Sequence, residues 1–134
     1  MRLAIPVLGE EIAPRFCFAQ RLLLVDLEGG QETGRTVLDV GSLEGNDRLR
    51  LLAERHVTFL CCSGINKLYL PFSQGLGICV SWGHNGSVEE ILARLLRGEL
   101  PRVPASVREA FDRELHERKG SSLGEQSPGR ERNK

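Results

Sequence analysis

The sequence predicts an α/β domain, with a mixed five-stranded sheet flanked by helices in the order β-β-β-α-β-α-β-α. Three observations predict it. Short apolar runs bounded by glycine recur along the first eighty residues, as buried strands do. The first three follow one another with no helical pattern between them, whereas the later ones alternate with helical segments. A helix with complete start and stop signals then follows the last strand.

Taken in order, "RLAIPVL" (2–8) is short and apolar and ends at Gly9, so it reads as a buried strand. "GEEIAPRFCFA" (9–19) reads as a loop, because Pro14 forces an extended residue before it. "QRLLLVDLEGG" (20–30) is a second strand closed by a Gly-Gly turn, and "ETGRTVLDV" (32–40) returns antiparallel to it. Gly45 and Asn46 offer a cap, and Leu49, Leu52 and Ala53 then share one face of a helix through about His56. "VTFLCCS" (57–63) is a central strand, followed by a short helical segment that Pro71 should kink or end early. "ICVSW" (78–82) is the fifth strand. In "NGSVEEILARLLRGELP" Ser87 caps a helix, Glu90 stands three residues on as in a capping box, and Gly98 and Pro101 stop it. Val107, Phe111 and Leu115 recur every fourth residue, so 101–119 reads as a helical extension. From 120 to 134 almost nothing is apolar, and that tail reads as disordered. The domain itself spans 1–100.

Composition excludes several functions. The chain has 134 residues, 40% hydrophobic and 27% charged, with a formal net charge of +0. A nucleic-acid coating protein would need a basic excess to neutralise phosphates. No apolar run reaches a membrane span of roughly 18 residues, and Pro6 with Gly9-Glu10-Glu11 interrupts the N-terminal stretch before it resembles a signal peptide. A cytoplasmic monomer is expected, with its four cysteines reduced. There is no P-loop, no GxGxxG and no Ser-His-Asp order in a strand-turn-helix context. Asp26 and Asp39 stand on hairpin strands without an obvious third acidic partner.

In this element order three turns meet at one edge of the sheet: 9–18, 62–67 and 82–87. Between them they hold Arg15, Cys17, Cys62, Ser63, Asn66, Lys67, Trp82, His84 and Asn85. Gly64, Gly83 and Gly86 would let backbone N–H groups approach a ligand, and helix N-termini at such an edge favour an anion. Cys61 and Cys62 are adjacent in a strand, so their side chains point to opposite faces and cannot share one ion undistorted. Cys61 and Cys79 read as core; Cys62 reads either as turn packing or as a ligand. Cys17, in a loop between two phenylalanines, is open to packing, to a ligand role or to reactivity. No CxxC pair suggests structural zinc. His84 reads as an exposed turn residue or cap, or else as an imidazole ligand to a metal centre or a donor to an anion. His56 and His116 read as helix-surface residues.

The same turns resemble those of the dinitrogenase iron-molybdenum cofactor biosynthesis family, small domains similar to NifX and to the C-terminal part of NifB. "RLAIPV" followed by "APRF" resembles the family's first strand and Ser-Pro-His-Phe-Gly-like turn, "CSGI" (62–65) its Cys-Gly-Gly-Ile-Gly turn, and "GICVSWGHNGSVEEILARLLRGEL" (77–100) its Gly-Ile strand, Gly-rich turn and final helix. The resemblance implies a ribonuclease-H-like three-layer fold without nuclease activity. It implies a binding or carrier protein, not an enzyme, for an anionic metal-sulfur cofactor or precursor of the iron-molybdenum or molybdenum-copper type. A protein partner in cofactor assembly is implied as well. The expected cofactor-binding residues are Arg15, Cys17, Cys62, Ser63, Gly64, Asn66, Lys67, Gly83, His84, Asn85 and Gly86, with Cys62 and His84 as metal ligands. Arg15 stands where the family usually has His, Cys17 where it has Gly, and Ser63 and Asn66 replace two further glycines. The rivals are a regulatory or scaffold module without cofactor and a hydrolase on the same fold.

Overall fold

A computed structural model describes residues 1–99; the expected helix at 101–119 and the tail at 120–134 lie outside the described residues. Six strands and three helices follow one another: β1 (Arg2–Leu8), β2 (Glu11–Ile12), β3 (Arg21–Glu28), β4 (Gln31–Asp39), α1 (Gly45–Glu54), β5 (Phe59–Cys61), α2 (Tyr69–Gly75), β6 (Cys79–Ser81) and α3 (Val88–Leu96). The sheet runs β4-β3-β1-β5-β6, with β2 paired to β1. β3 runs antiparallel to both of its neighbours, β1 and β4, whereas β5 pairs parallel to β1 and β6 parallel to β5. The expected mixed sheet is therefore present with one strand more, because Gly9 at φ 64° closes a two-residue turn that pairs Leu8 with Glu11. The predicted loop of 9–19 thus begins as a hairpin and continues into a 3-10 turn at Phe16–Phe18.

Alternation along the strands builds two apolar layers. Leu3 and Ile5, Leu23, Val25 and Leu27, and Phe59 and Cys61 pack with Val88, Ile91, Leu92 and Leu95 of α3 on one face. Ala4, Leu22, Leu24, Leu60, Cys62 and Val80 pack with Leu49 and Leu52 of α1 on the other, where Tyr69 and Phe72 of α2 join them. Helices on both faces of the sheet make a three-layer α/β/α domain. Arg35 on β4 reaches across to Glu89 of α3 at 2.7 and 2.8 Å while also pairing with Glu32.

Pro71 behaves otherwise than the sequence suggested. It is the third residue of α2, within the first turn, where a backbone N–H has no intrahelical acceptor to lose. It therefore helps to open the helix and does not end it.

α1 and α3 end on the same hydrogen-bond pattern with different residues at the critical position. In α3, Gly98 (φ 81°) donates to Leu95 O and Glu99 to Arg94 O. In α1, His56 (φ 64°) donates to Ala53 O and Val57 to Leu52 O, so a residue with a Cβ occupies the left-handed position that glycine favours. Replacing His56 by Gly is expected to raise the unfolding free energy by about 0.5–1 kcal/mol, the relief of Cβ strain exceeding the added chain entropy. Urea denaturation of the two proteins measures it.

Candidate functional site

The turns that follow β1, β5 and β6 are laced together by backbone hydrogen bonds. Gly64 N donates to Pro14 O at 3.0 Å and Phe16 N to Gly64 O at 2.9 Å, joining the first turn to the second. Gly83 N donates to Ser63 O at 2.9 Å and His84 N to Cys62 O at 3.2 Å, joining the second to the third. Ile12 N donates to Gly86 O and Val88 N to Glu10 O, which closes the third back onto the β1–β2 hairpin. Gly64 is needed for this closure, because a Cβ there would lie 2.8 Å from Pro14 O.

The lacing leaves a cavity of about 640 Å³ between the first two turns and the start of α2. Arg15, Cys17, Gly64 and Asn66 of the sequence-derived set line it, joined by Phe16, Phe18 and Tyr69. Lys67 is exposed beside Asn66. Ser63, Gly83, Asn85 and Gly86 stand at the same edge but outside the lining, with Ser63 Oγ 3.3 Å from Asn85 Oδ1. Arg15 is exposed and has no hydrogen-bond or ion-pair partner for its guanidinium among the described residues. By contrast Arg2, Arg21, Arg35, Arg50 and Arg97 each face a carboxylate. An unpartnered cation on a cavity wall attracts an anion.

Cys62 and His84 lie beneath that surface. Cys62 is fully buried in the α1/α2 layer, and burial, followed by the neighbouring Cys17, pushes its thiol up to about 12. Cys61 is buried in the opposite layer and its thiol is likewise pushed up by burial. The two adjacent cysteines do face apart. His84 is 3% exposed, with Nε2 2.8 Å from Ser81 Oγ. Burial, with a smaller contribution from Arg94, lowers its pKa to about 4.

The helix N-termini at this edge already have partners. Ser87 Oγ accepts from Glu90 N at 3.1 Å while Glu90 Oε1 accepts from Ser87 N at 3.2 Å, so the capping box read from the sequence occupies the start of α3. Asn66 O and Oδ1 take Tyr69 N and Leu68 N at the start of α2.

The start of α1 lies on the cavity side and was not foreseen as part of the site. Gly45 opens it, and a Cβ there would fall on the Tyr69 phenol ring. The neighbouring Cys17 thiol, and to a lesser degree burial, raise the pKa of the Tyr69 phenol. Arg48, one turn on, is 2% exposed and donates to Leu43 O, Phe16 O and Ala19 O at 2.8, 2.9 and 2.5 Å. Burial lowers its pKa, yet an arginine stays charged in a protein, and its charge lies near Cys17 and Tyr69. A sequence signal for Arg48 existed, since it stands four residues before Leu52 on the apolar stripe of α1. Tyr69 offered only its rarity as the single tyrosine.

His84 makes a pH prediction. Its folded pKa lies below the ordinary 6.5, so the neutral ring stabilises the fold fully above pH 6.5 and that stability is lost as pH falls toward 4. Its share of the loss between pH 7 and 4.5 is expected to be about 2 kcal/mol. Urea denaturation at both pH values should show a correspondingly flatter pH dependence in His84→Gln.

No family model matches the chain, and no curated protein matches its sequence. Solved structures do match. PH0822 superimposes with a TM-score of 0.71 at 22% identity, over 81% of this chain and 99% of that one. A proposed dinitrogenase from Methanocaldococcus jannaschii gives 0.64 at 18%, covering 77% and 94%. The apo form of the orange protein from Desulfovibrio gigas gives 0.64 at 23%, covering 78% and 92%. The chain has the fold of these proteins. The likeness reaches the group of proteins to which the sequence motifs pointed, and it includes a proposed NifB protein from Thermotoga. Among the described residues no group of three or more His, Cys, Asp or Glu side chains is placed to hold a metal ion by itself, and no helix is long and apolar enough to cross a membrane.

Proposed function

We propose that this protein binds and carries an anionic metal-sulfur cofactor or its precursor, of the molybdenum-copper or iron-molybdenum type, and performs no catalysis of its own. The observation that carries this reading is the cavity of about 640 Å³ at the turn edge, bounded by Arg15, whose guanidinium has no partner among the described residues, with exposed Lys67 beside it and a thiol at Cys17. A bulky, sulfur-rich anion needs space, cationic charge and soft or weakly polar contacts, and this edge supplies all three. The fold is shared with the apo orange protein and a proposed NifB protein, within the group to which the sequence motifs point. The hydrolase reading loses ground for a geometrical reason. Asp26 pairs with Arg2 at the start of β1 and Asp39 with Arg21 at the start of β3, so the two carboxylates stand at opposite ends of the β3–β4 ladder.

Titration with tetrathiomolybdate, followed by its visible absorption, tests the proposal. The wild-type protein should bind it, and Arg15→Ala should weaken binding by about fivefold at low salt, with a smaller difference at high salt where exposed charges are screened. Binding that is absent, or equal in both proteins at every salt concentration, discards the reading. A cofactor-free scaffold is the second reading. It is favoured by Leu8, Phe18 and Leu68, which are 68%, 72% and 81% exposed at or beside this edge and could meet a partner protein.

A further inference from the structure

We propose that this protein pairs with a second copy of itself along the free edge of β4, about a two-fold axis at Val37, so that the two sheets continue into one. The proposal stands apart from the carrier reading and departs from the monomer expected of the sequence. Among the described residues β4 is the outermost strand of the sheet, with β3 on one side and no strand on the other. It is nine residues long, whereas β6 at the opposite edge has three. Short strands, prolines and bulges are the devices that stop sheets from joining edge to edge. β4 contains no proline, and the register shift in its pairing lies opposite Asp26 and Leu27, beside its first residues. Residues 34–39 therefore form a regular, open edge.

The direction of the backbone groups follows from the ladder. Val40 N donates to Gln20 O, in line with the register that sets Asp39 opposite Arg21 and Leu38 opposite Leu22. Facing pairs of an antiparallel ladder are hydrogen-bonded alternately, so Leu38 and Thr36 bond to β3 while the N–H and C=O groups of Arg35, Val37 and Asp39 point outward. The side chains of these three share one face, the side of α3, where Arg35 meets Glu89. Val37 between them is 55% exposed. A second β4 running antiparallel, with Val37 opposite Val37, sets Arg35 of each copy opposite Asp39 of the other. Each of the three facing pairs adds two backbone hydrogen bonds, about six in all. Within one copy Asp39 already pairs with Arg21, and Arg35 with Glu32 and Glu89. Each flank thus becomes a row of alternating sign, from Arg21 through Asp39 to Arg35 and the glutamates of the second copy. Neighbouring registers lack this match. Centring on Arg35 or Asp39 sets like charges face to face, and centring on Thr36 or Leu38 sets Val37 against a charge. The axis is perpendicular to the sheet, so the two turn-edge cavities lie at opposite ends of the pair and stay open.

The contact is small, so a dimer dissociating at about 10–100 µM is expected. Sedimentation velocity of the full, reduced chain from about 5 to 500 µM spans that range. Val37→Lys sets two ammonium groups together on the axis and should weaken the dimer by about tenfold or more. Val37→Pro removes an outward N–H, leaves the bonds to β3 in place and should act in the same direction. Val37→Lys decides alone if the proline variant unfolds, since its own urea midpoint should stay near wild type at this exposed position. Asp39→Lys sets like charges opposite Arg35 and should weaken the dimer about tenfold. Glu28→Lys makes the same change in net charge on β3, away from the axis, and should stay within about twofold of wild type. A chain that remains monomeric at every concentration overturns the proposal, and so does a dimer that Val37→Lys and Asp39→Lys leave intact. A dimer that Leu8→Ser weakens and Val37→Lys does not would place the contact at the turn edge, where Leu8 is 68% exposed, and overturns it as well.

Discussion

Replacing Arg48 by methionine is expected to lower the unfolding free energy by about 3 kcal/mol, a large share of the stability of a domain this size. Its guanidinium is almost wholly withdrawn from water and serves three carbonyls: Leu43 O before α1, Phe16 O in the Phe16–Phe18 turn, and Ala19 O just after it. Hydrogen bonds from a charged donor contribute about 1.5–3 kcal/mol each, and the desolvation of the guanidinium offsets part of their sum. Methionine matches the stem in length and apolar contact but leaves all three oxygens without a donor. Lysine keeps the charge, yet an ammonium cannot match the planar spread of donors that reaches three oxygens at once, so Arg48→Lys should recover less than half of the loss. Arg50→Met provides the control. Arg50 is exposed, pairs with Asp47 at 2.9 Å and lies over the Phe72 ring, and its loss should cost no more than about 1 kcal/mol. Urea denaturation of the three variants checks the order. A loss for Arg48→Met no larger than that for Arg50→Met would show that the turn does not depend on the buried guanidinium.

Replacing Gly64 by alanine is expected to cost about 2–3 kcal/mol and to weaken anion binding at the same time. The added methyl would stand 2.8 Å from Pro14 O, and backbone cannot rotate aside as a flexible side chain does. The pair of bonds between Gly64 and the Pro14–Phe16 segment, 3.0 and 2.9 Å, would have to open. Gly64 is not in a left-handed conformation, so the effect comes from close approach and not from φ. Separating these two turns widens the cavity and moves Arg15 and Cys17 together. Gly75 offers a comparison within the same chain: it lies at the end of α2, where a Cβ meets nothing within 4 Å, so Gly75→Ala should be neutral or slightly stabilising. A Gly64→Ala protein with wild-type stability and wild-type tetrathiomolybdate affinity would show that the two turns need not clasp.

The sequence by itself determined the architecture. Alternating apolar positions in β1 and β3, the Gly29-Gly30 turn with both φ angles positive, and the Ser87–Glu90 capping box are local signals, and local physics is enough to realise them. It also placed the three turns at one edge, because parallel strands joined through helices present successive turns on the same side. Only the tertiary structure decided which residues of those turns face the cavity. Cys62 continues the pleat of β5, so it alternates with Cys61 into the layer that α1 and α2 cover, although the turn that follows it is exposed. His84 reads as an exposed turn residue from its neighbours, but the close packing of two turns buries it against Ser81. Arg48 and Tyr69 come from helices on the far side of the chain's connections, and their meeting with Cys17 depends on how α1 and α2 pack over the sheet. Periodicity reports which face of an element is apolar. It does not report what another part of the chain lays over a turn, and the placement of each side chain around this cavity depends on that packing.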